Sequence, residues 1–222
     1  MEKKVLKSWD ENANEWIKII DSEEIPSRIV TNSAIIELLS QLPSTTILDC
    51  GCGEGWLTRS MTLIGKKSVG VDATLKLIEH ARTKGPETYY QMSYDEISQG
   101  EEIPESPFEA VIFNFCLYQQ EGMDLLLKNL RKSVTPKGYL VIQTIHPFFL
   151  LDRKLGYKSQ WIANAWEGLP GNFTNGHKWF ARTFEDWSVV FSESGLELIK
   201  IKETRTNENT PLSVIFILQY KL

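Results

Sequence analysis

The sequence predicts an α/β fold: a doubly wound, mostly parallel sheet of seven strands ending in an antiparallel hairpin, with helices in front and an aromatic insertion after strand five. Three observations predict it. Short apolar runs rich in β-branched residues alternate with longer amphipathic ones. A glycine-rich turn, "DCGCGEG" (Asp49 to Gly55), joins the first such run to a helix. The last two apolar runs are separated only by the polar "RTNENTP", a length suited to a hairpin. The 222 residues can bury one sizeable core, and no linker, low-complexity run or repeat divides them, so one domain is expected over residues 1–222.

The elements follow in order. Residues 1–44 hold two helical stretches, "KVLKSWDENANEWIKII" and "SRIVTNSAIIELLSQL", which form an N-terminal helical cap. "TTILDC" (Thr45 to Cys50) is the first strand and Trp56 to Gly65 the helix after it. Lys67 to Ala73 is the second strand. In the next helix, Thr74 to Gly85, Leu75, Ile78 and Ala81 with Leu77 form the apolar face, and Gly85 ends it. "ETYYQM" is a short third strand and Phe108 to Leu117 the fourth. "GMDLLLKNLRKSVTPKGYLVIQTI" runs from a helix through a Pro-Lys-Gly turn into the fifth. Residues 147–182 are the insertion, expected to act as a lid. "TFEDWSVVFSESGLELIKIKET" then reads as helix, Gly195 stop and strand, and "TPLSVIFILQY" closes the chain.

Composition narrows the function. A net charge of −5 with scattered lysines and arginines gives no basic stripe, so nucleic acid is not an expected partner. The first residues carry charges without an apolar segment behind them, and no run approaches a membrane span. With three cysteines, Cys50, Cys52 and Cys116, in apolar surroundings, a reducing, cytoplasmic setting is expected. A Cys-x-Cys pair with no second ligand cluster predicts no metal site.

The loop at Gly51, Gly53 and Gly55 nearly matches a dinucleotide fingerprint, but Trp56 stands where the third glycine belongs. Asp49 and Glu54 place negative charge around it, which repels a diphosphate and attracts an ammonium group. Asp72, at the end of the second strand, can accept from two ribose hydroxyls. With "LDCGCGEG" and "VGVDAT" in these places, the sequence resembles the class I S-adenosylmethionine (SAM)-dependent methyltransferases, most strongly from Ile47 to Leu117.

The resemblance implies SAM as cofactor and S-adenosylhomocysteine as product. It implies that Asp49 meets the methionine ammonium directly or through water, that the Gly51 to Gly55 backbone, with Cys50 before it and Gly53 within it, packs against the methionine and ribose, and that Asp72, followed by Ala73, holds the ribose hydroxyls. At the position of the family's usual adenine-binding acid stands Ser93; Ser93 and Tyr94 can bind or cover the base, or Asp95 can supply the carboxylate. Asn114 and Phe115, at the end of strand four, fall beside the methionine portion, and their sequence is not that of enzymes methylating exocyclic base nitrogens. Arg28, at a helix start where a cation opposes the dipole, is a candidate for the methionine carboxylate. Otherwise it is a solvated arginine.

Substrate-side candidates are His146, which closes strand five before Pro147, and Tyr118 after strand four; either could serve as a base or substrate contact. Trp9 and Trp16, seven residues apart, share a helix face, Trp16 nearer the cofactor. Trp166 and Trp179 of the insertion join Trp9 as candidate walls for a small organic substrate, and Arg182 is a candidate for an anionic group on it, or a tie between insertion and body. The expected activity is O-, N- or C-methylation of a small molecule. A non-catalytic SAM-binding module and an NAD-dependent oxidoreductase remain the alternatives.

Overall fold

The structure is a computed structural model and describes residues 2–221. Two helices lead, α1 (Glu2–Asp21) and α2 (Ser27–Gln41), followed by β1 (Thr46–Cys50), α3 (Trp56–Leu63), β2 (Lys67–Asp72), α4 (Leu75–Lys84) and β3 (Thr88–Gln91). Then come α5 (Tyr94–Ser98), β4 (Phe108–Asn114), α6 (Met123–Leu130) and β5 (Val134–Ile145). The insertion holds α7 (Phe149–Asp152), β6 (Gln160–Ile162) and β7 (Trp179–Ala181), and α8 (Phe184–Glu193), β8 (Leu196–Arg205) and β9 (Pro211–Tyr220) complete the chain.

Seven strands form one sheet in the order β3-β2-β1-β4-β5-β9-β8. The first five are mutually parallel, and β9 runs antiparallel to both β5 and β8. Because both faces are covered, the central strands are apolar on both sides. Ile47, Ile112 and Val141 pack with Ile35, Leu39, Leu57 and Met61 of α2 and α3. Their neighbours Leu48, Val111, Leu140 and Ile142 face Leu126, Leu127 and Leu130 of α6 and Trp187 and Phe191 of α8.

Several details depart from the sequence expectation. Leu75 is 43% exposed, since Thr74 is the residue before α4 and Leu75 falls in the first turn; Leu77, Ile78 and Ala81 alone are buried. Gly85 ends α4 with extended backbone rather than in a left-handed cap. The Pro136-Lys137-Gly138 sequence is not a turn before β5 but an irregularity within it, where pairing jumps from Phe108–Val134 to Ala110–Tyr139 and Lys137 takes a φ of 63°. β4 stops at Asn114 because Phe115 adopts a φ of 53°, which breaks the pleat. The insertion, which shows little periodicity, contains a β6–β7 ladder of Gln160–Ala181, Trp161–Phe180 and Ile162–Trp179.

The insertion is tied to α1 by polar bonds. Thr174 N–H donates to Asn12 Oδ1 and Asn12 Nδ2 donates to Thr174 O, at 2.8 and 2.7 Å, while Ser8 Oγ donates to Asn175 O. Trp166 is the apolar counterpart. It lies edge-on to Trp9 at 4.7 Å, stacks on Phe173 at 4.7 Å and donates its Nε1–H to Ser8 Oγ. Trp166→Ala should therefore cost about 3–5 kcal/mol of local stability. Amide exchange should quicken in α1 and residues 172–175 while the central strands stay protected; uniform loss would contradict this view of the contact.

Candidate functional site

The strand order reverses between β1 and β4, so the loop after β1 opens at the switch point of the sheet, where open α/β folds bind ligands. Gly51 and Cys52 anchor the loop by donating to Val71 O at 2.8 and 3.0 Å. Gly51 has a φ of 81°, and a Cβ there would stand 2.5 Å from the Tyr94 hydroxyl and 2.9 Å from Cys116 Cβ. Only glycine meets both demands.

Three carboxylates converge on this loop. Asp72 accepts from Gly53 N–H at 3.0 Å and Thr74 N–H at 2.8 Å, so the loop and the next helix are keyed to one side chain. Asp49 is 1% exposed and accepts from the Thr58 hydroxyl at 2.7 Å. Burial pushes its carboxyl up to about 7, against the pull of Thr58 and with help from the Glu54 and Asp72 charges. Glu54 is also 1% exposed; its Oε2 accepts from Trp16 Nε1–H at 2.9 Å, while Oε1 is buried with no hydrogen-bond partner among the described residues.

Arg28 belongs to this cluster. Its guanidinium stands 4.9 Å from the Trp56 ring and 5.6 Å from the Trp16 ring, and burial lowers its pKa against the opposing pull of Glu54. It is thus a half-buried cation held over two indole rings beside a buried acid, not a fully solvated arginine. Across the switch point, Asn114 Oδ1 is likewise buried without a partner among the described residues. Phe115 N–H donates to Gln143 O, which holds the turn after β4. Cys116 Sγ donates to Cys50 O at 3.2 Å, and the Tyr94 hydroxyl reaches the same carbonyl at 3.5 Å.

Ser93 is placed differently from a free base-binding group. It caps α5 in a capping box: its Oγ accepts from Glu96 N–H at 3.2 Å and donates to Glu96 Oε2 at 2.7 Å. Asp95 is exposed in the first turn of that helix. Ala73 contributes its carbonyl, which accepts from Gln91 Nε2.

The substrate-side candidates divide into two groups. Trp9 and Trp166 sit with Phe173 and His177 between α1 and the insertion, and Trp16 links them to the loop. Tyr118, His146, Trp179 and Arg182 instead line a small cavity beyond the ends of β4 and β5, with a water-accessible volume of about 10 Å³. His146 has both nitrogens engaged. Phe148 N–H donates to Nδ1 at 3.0 Å, so Nε2 carries the proton and donates to Glu203 Oε1 at 2.8 Å. Tyr118 is pushed upward from the ordinary phenol range by burial, and Phe180 N–H donates to its carbonyl.

Glu54, Thr58, Trp56 and Thr144 are the site members that sequence reasoning underused. Glu54 was visible as loop charge, but its pairing with Trp16 joins residues 38 positions apart. Trp56 reads in the sequence only as the glycine that is missing.

A methyltransferase-domain family model matches residues 14–201. An uncharacterized methyltransferase of Schizosaccharomyces pombe is 27% identical over 177 residues, 74% of this chain and 64% of that protein. A Haemophilus influenzae protein is 25% identical over 130 residues and half covered, so the chain spans about half to two thirds of the length of these curated relatives. Among solved structures, the Burkholderia thailandensis 1,6-didemethyltoxoflavin-N1-methyltransferase superposes with a TM-score of 0.70 at 13% identity, covering 100% of this chain and 89% of that one. A Mesorhizobium loti SAM-dependent methyltransferase gives 0.62 at 18% identity, covering 83% and 95%. The strand order, the acid-flanked glycine loop at its switch point and the match over residues 14–201 lead to one conclusion: the chain belongs to the methyltransferase-domain family.

Proposed function

We propose that the protein binds S-adenosylmethionine and transfers its methyl group to a small organic molecule. The observation that carries this reading is the pair of buried oxygens without a partner among the described residues, Glu54 Oε1 and Asn114 Oδ1, set with Asp49 and the half-buried Arg28 around the glycine loop. Such a set suits a small zwitterion: acids for an ammonium, a guanidinium for a carboxylate. Asp72 would hold the ribose hydroxyls with the lone pairs left over from Gly53 and Thr74. Tyr94 would cover the base side of the loop, with Ser93 shaping the turn through its cap. The Burkholderia structure, with bound 1,6-didemethyltoxoflavin and S-adenosylhomocysteine, supports a small organic acceptor for this fold.

When bound, SAM supplies an electrophilic methyl group on a sulfonium, and in-line displacement asks the protein chiefly for position and dryness. The α1–insertion clasp through Trp9, Trp16 and Trp166 would exclude water. Tyr118 and His146 would contact the acceptor from the ends of β4 and β5. A proton leaving the acceptor would be taken through the His146–Glu203 pair only after Nδ1 gives up the Phe148 amide.

Asp49 gives this reading a pH signature. Its folded pKa, about 7, lies above the unfolded value of 3.8. Its contribution to the stability of the ligand-free protein is therefore fully present below about pH 3.8 and is lost as pH rises through about 7. Binding of an ammonium group runs the other way. Affinity for S-adenosylhomocysteine should be about tenfold weaker at pH 6 than at pH 8, and Asp49→Asn should flatten that dependence. A wild-type affinity constant across this range would remove Asp49 from the site.

The direct test is acceptor-dependent release of S-adenosylhomocysteine from SAM, screened over small oxygen, nitrogen and carbon nucleophiles. Turnover with at least one acceptor supports the reading. Tight cofactor binding with no turnover on any acceptor would favour a binding module instead.

A further inference from the structure

We propose that the cavity beneath the insertion receives a carboxylate on the methyl acceptor, and that Arg182 is the group that selects it. The inference rests on the methyl-transfer reading above and names the acceptor's class. Arg182 is 5% exposed and is held on almost every side. Its Nη2 donates to Gln120 O at 2.9 Å, its Nε lies 3.2 Å from Asp186 Oδ2, and its guanidinium stands 5.0 Å from the Phe180 ring and 5.4 Å from the Trp187 ring. Among the described residues, Nε and Nη1 are both buried without a hydrogen bond; Nε has the Asp186 carboxylate beside it and Nη1 has neither bond nor ionic partner. A charged donor fixed in orientation, desolvated and left open is costly unless something negative or strongly accepting meets it.

The cavity that Arg182 lines has the composition for that ligand. Tyr118 and Thr144 add hydroxyls on one side, while Phe149 and Trp179 form an aromatic wall that suits a planar body. His146 does not compete for the anion, because both its nitrogens are already bonded. Asp186 meets Arg182 at Nε only, through an Oδ2 that is itself buried, and does not reach Nη1. At about 10 Å³ the partly open cavity has room for about one water. A carboxylate is larger than this space, so the side chains at its mouth would have to give way to admit it.

The alternative to an anion is a neutral acceptor whose carbonyl meets Nη1, and matched compounds separate the two. Small aromatic and aliphatic carboxylic acids bearing a hydroxyl or amino group, and their primary amides, are titrated into protein saturated with S-adenosylhomocysteine and assayed for methylation with SAM. Acids should bind or turn over at least tenfold better than their amides, a charge-assisted hydrogen bond's worth of preference. Arg182→Met should erase the preference and Arg182→Lys restore part of it, while S-adenosylhomocysteine affinity stays within about twofold in both. Should Arg182→Met fail to fold, the wild-type acid-to-amide ratio decides alone. Equal use of amides, or no acid bound while S-adenosylhomocysteine binds, would overturn the inference and leave the cofactor reading standing. Loss of S-adenosylhomocysteine binding by the wild type would instead sink the cofactor reading itself.

Discussion

Asp72→Ala should weaken S-adenosylhomocysteine binding roughly 100-fold, about 3 kcal/mol, because on the proposed reading it removes the acceptor for two ribose hydroxyls. The same substitution leaves Gly53 and Thr74 N–H without their bonds at 3.0 and 2.8 Å, so the glycine loop and the start of α4 should loosen together. Asp72→Asn keeps one acceptor oxygen and separates the two effects. Its amide nitrogen faces one of the two backbone N–H groups, so it should keep only part of the thermal stability, between Ala and wild type, while still losing tenfold or more in affinity. Calorimetric titration beside a melting curve reads both quantities. An Asp72→Ala protein that binds within a few-fold of wild type would place the ribose elsewhere.

Gly51→Ala is expected to be the most damaging small substitution. The new Cβ meets the Tyr94 hydroxyl at 2.5 Å and Cys116 at 2.9 Å, at a φ of 81° that an L residue adopts only with strain. Strain and overpacking together should cost about 2–4 kcal/mol, or roughly 5–15 °C in Tm for a chain of this size. Tyr94→Phe in the same chain removes the nearest clashing atom and should return part of the loss, leaving the share due to φ and Cys116. A Gly51→Ala melting point within 2 °C of wild type would show that the loop yields more easily than its contacts suggest.

The parallel sheet and its closing hairpin were legible because strands buried on both faces must be apolar throughout, as in Ile47, Leu48, Val111 and Ile112, and because the polar "RTNENTP" leaves room for nothing but a turn. Boundaries were less legible. The end of β4 depends on the backbone of Phe115, a residue with no turn signature of its own, and the irregularity in β5 depends on how Pro136 and Lys137 fit beside Phe108.

In the site, the glycines and Asp72 could be read because their spacing within one loop and the next strand carries the geometry. Long-range partners could not. Nothing local tells that Trp16 bonds Glu54, that Arg28 lies against Trp56, or that His146 is bonded to Glu203 across β9. Ser93 shows the converse case: its capping box with Glu96 was present in the local sequence, yet its alignment with the family's adenine position drew attention first. The aromatic insertion resisted reading because its two short strands pair with each other rather than with the main sheet.

The central claim is that buried acids around the glycine loop, completed by Arg28, accept a nucleoside bearing an amino acid and not a dinucleotide. Calorimetric titration of the wild-type protein with SAM, S-adenosylhomocysteine and NADH tests it most directly. The account predicts saturable, one-to-one binding of the first two and none of NADH. Binding of NADH alone would contradict it and return the loop to the dinucleotide reading that Trp56 argues against.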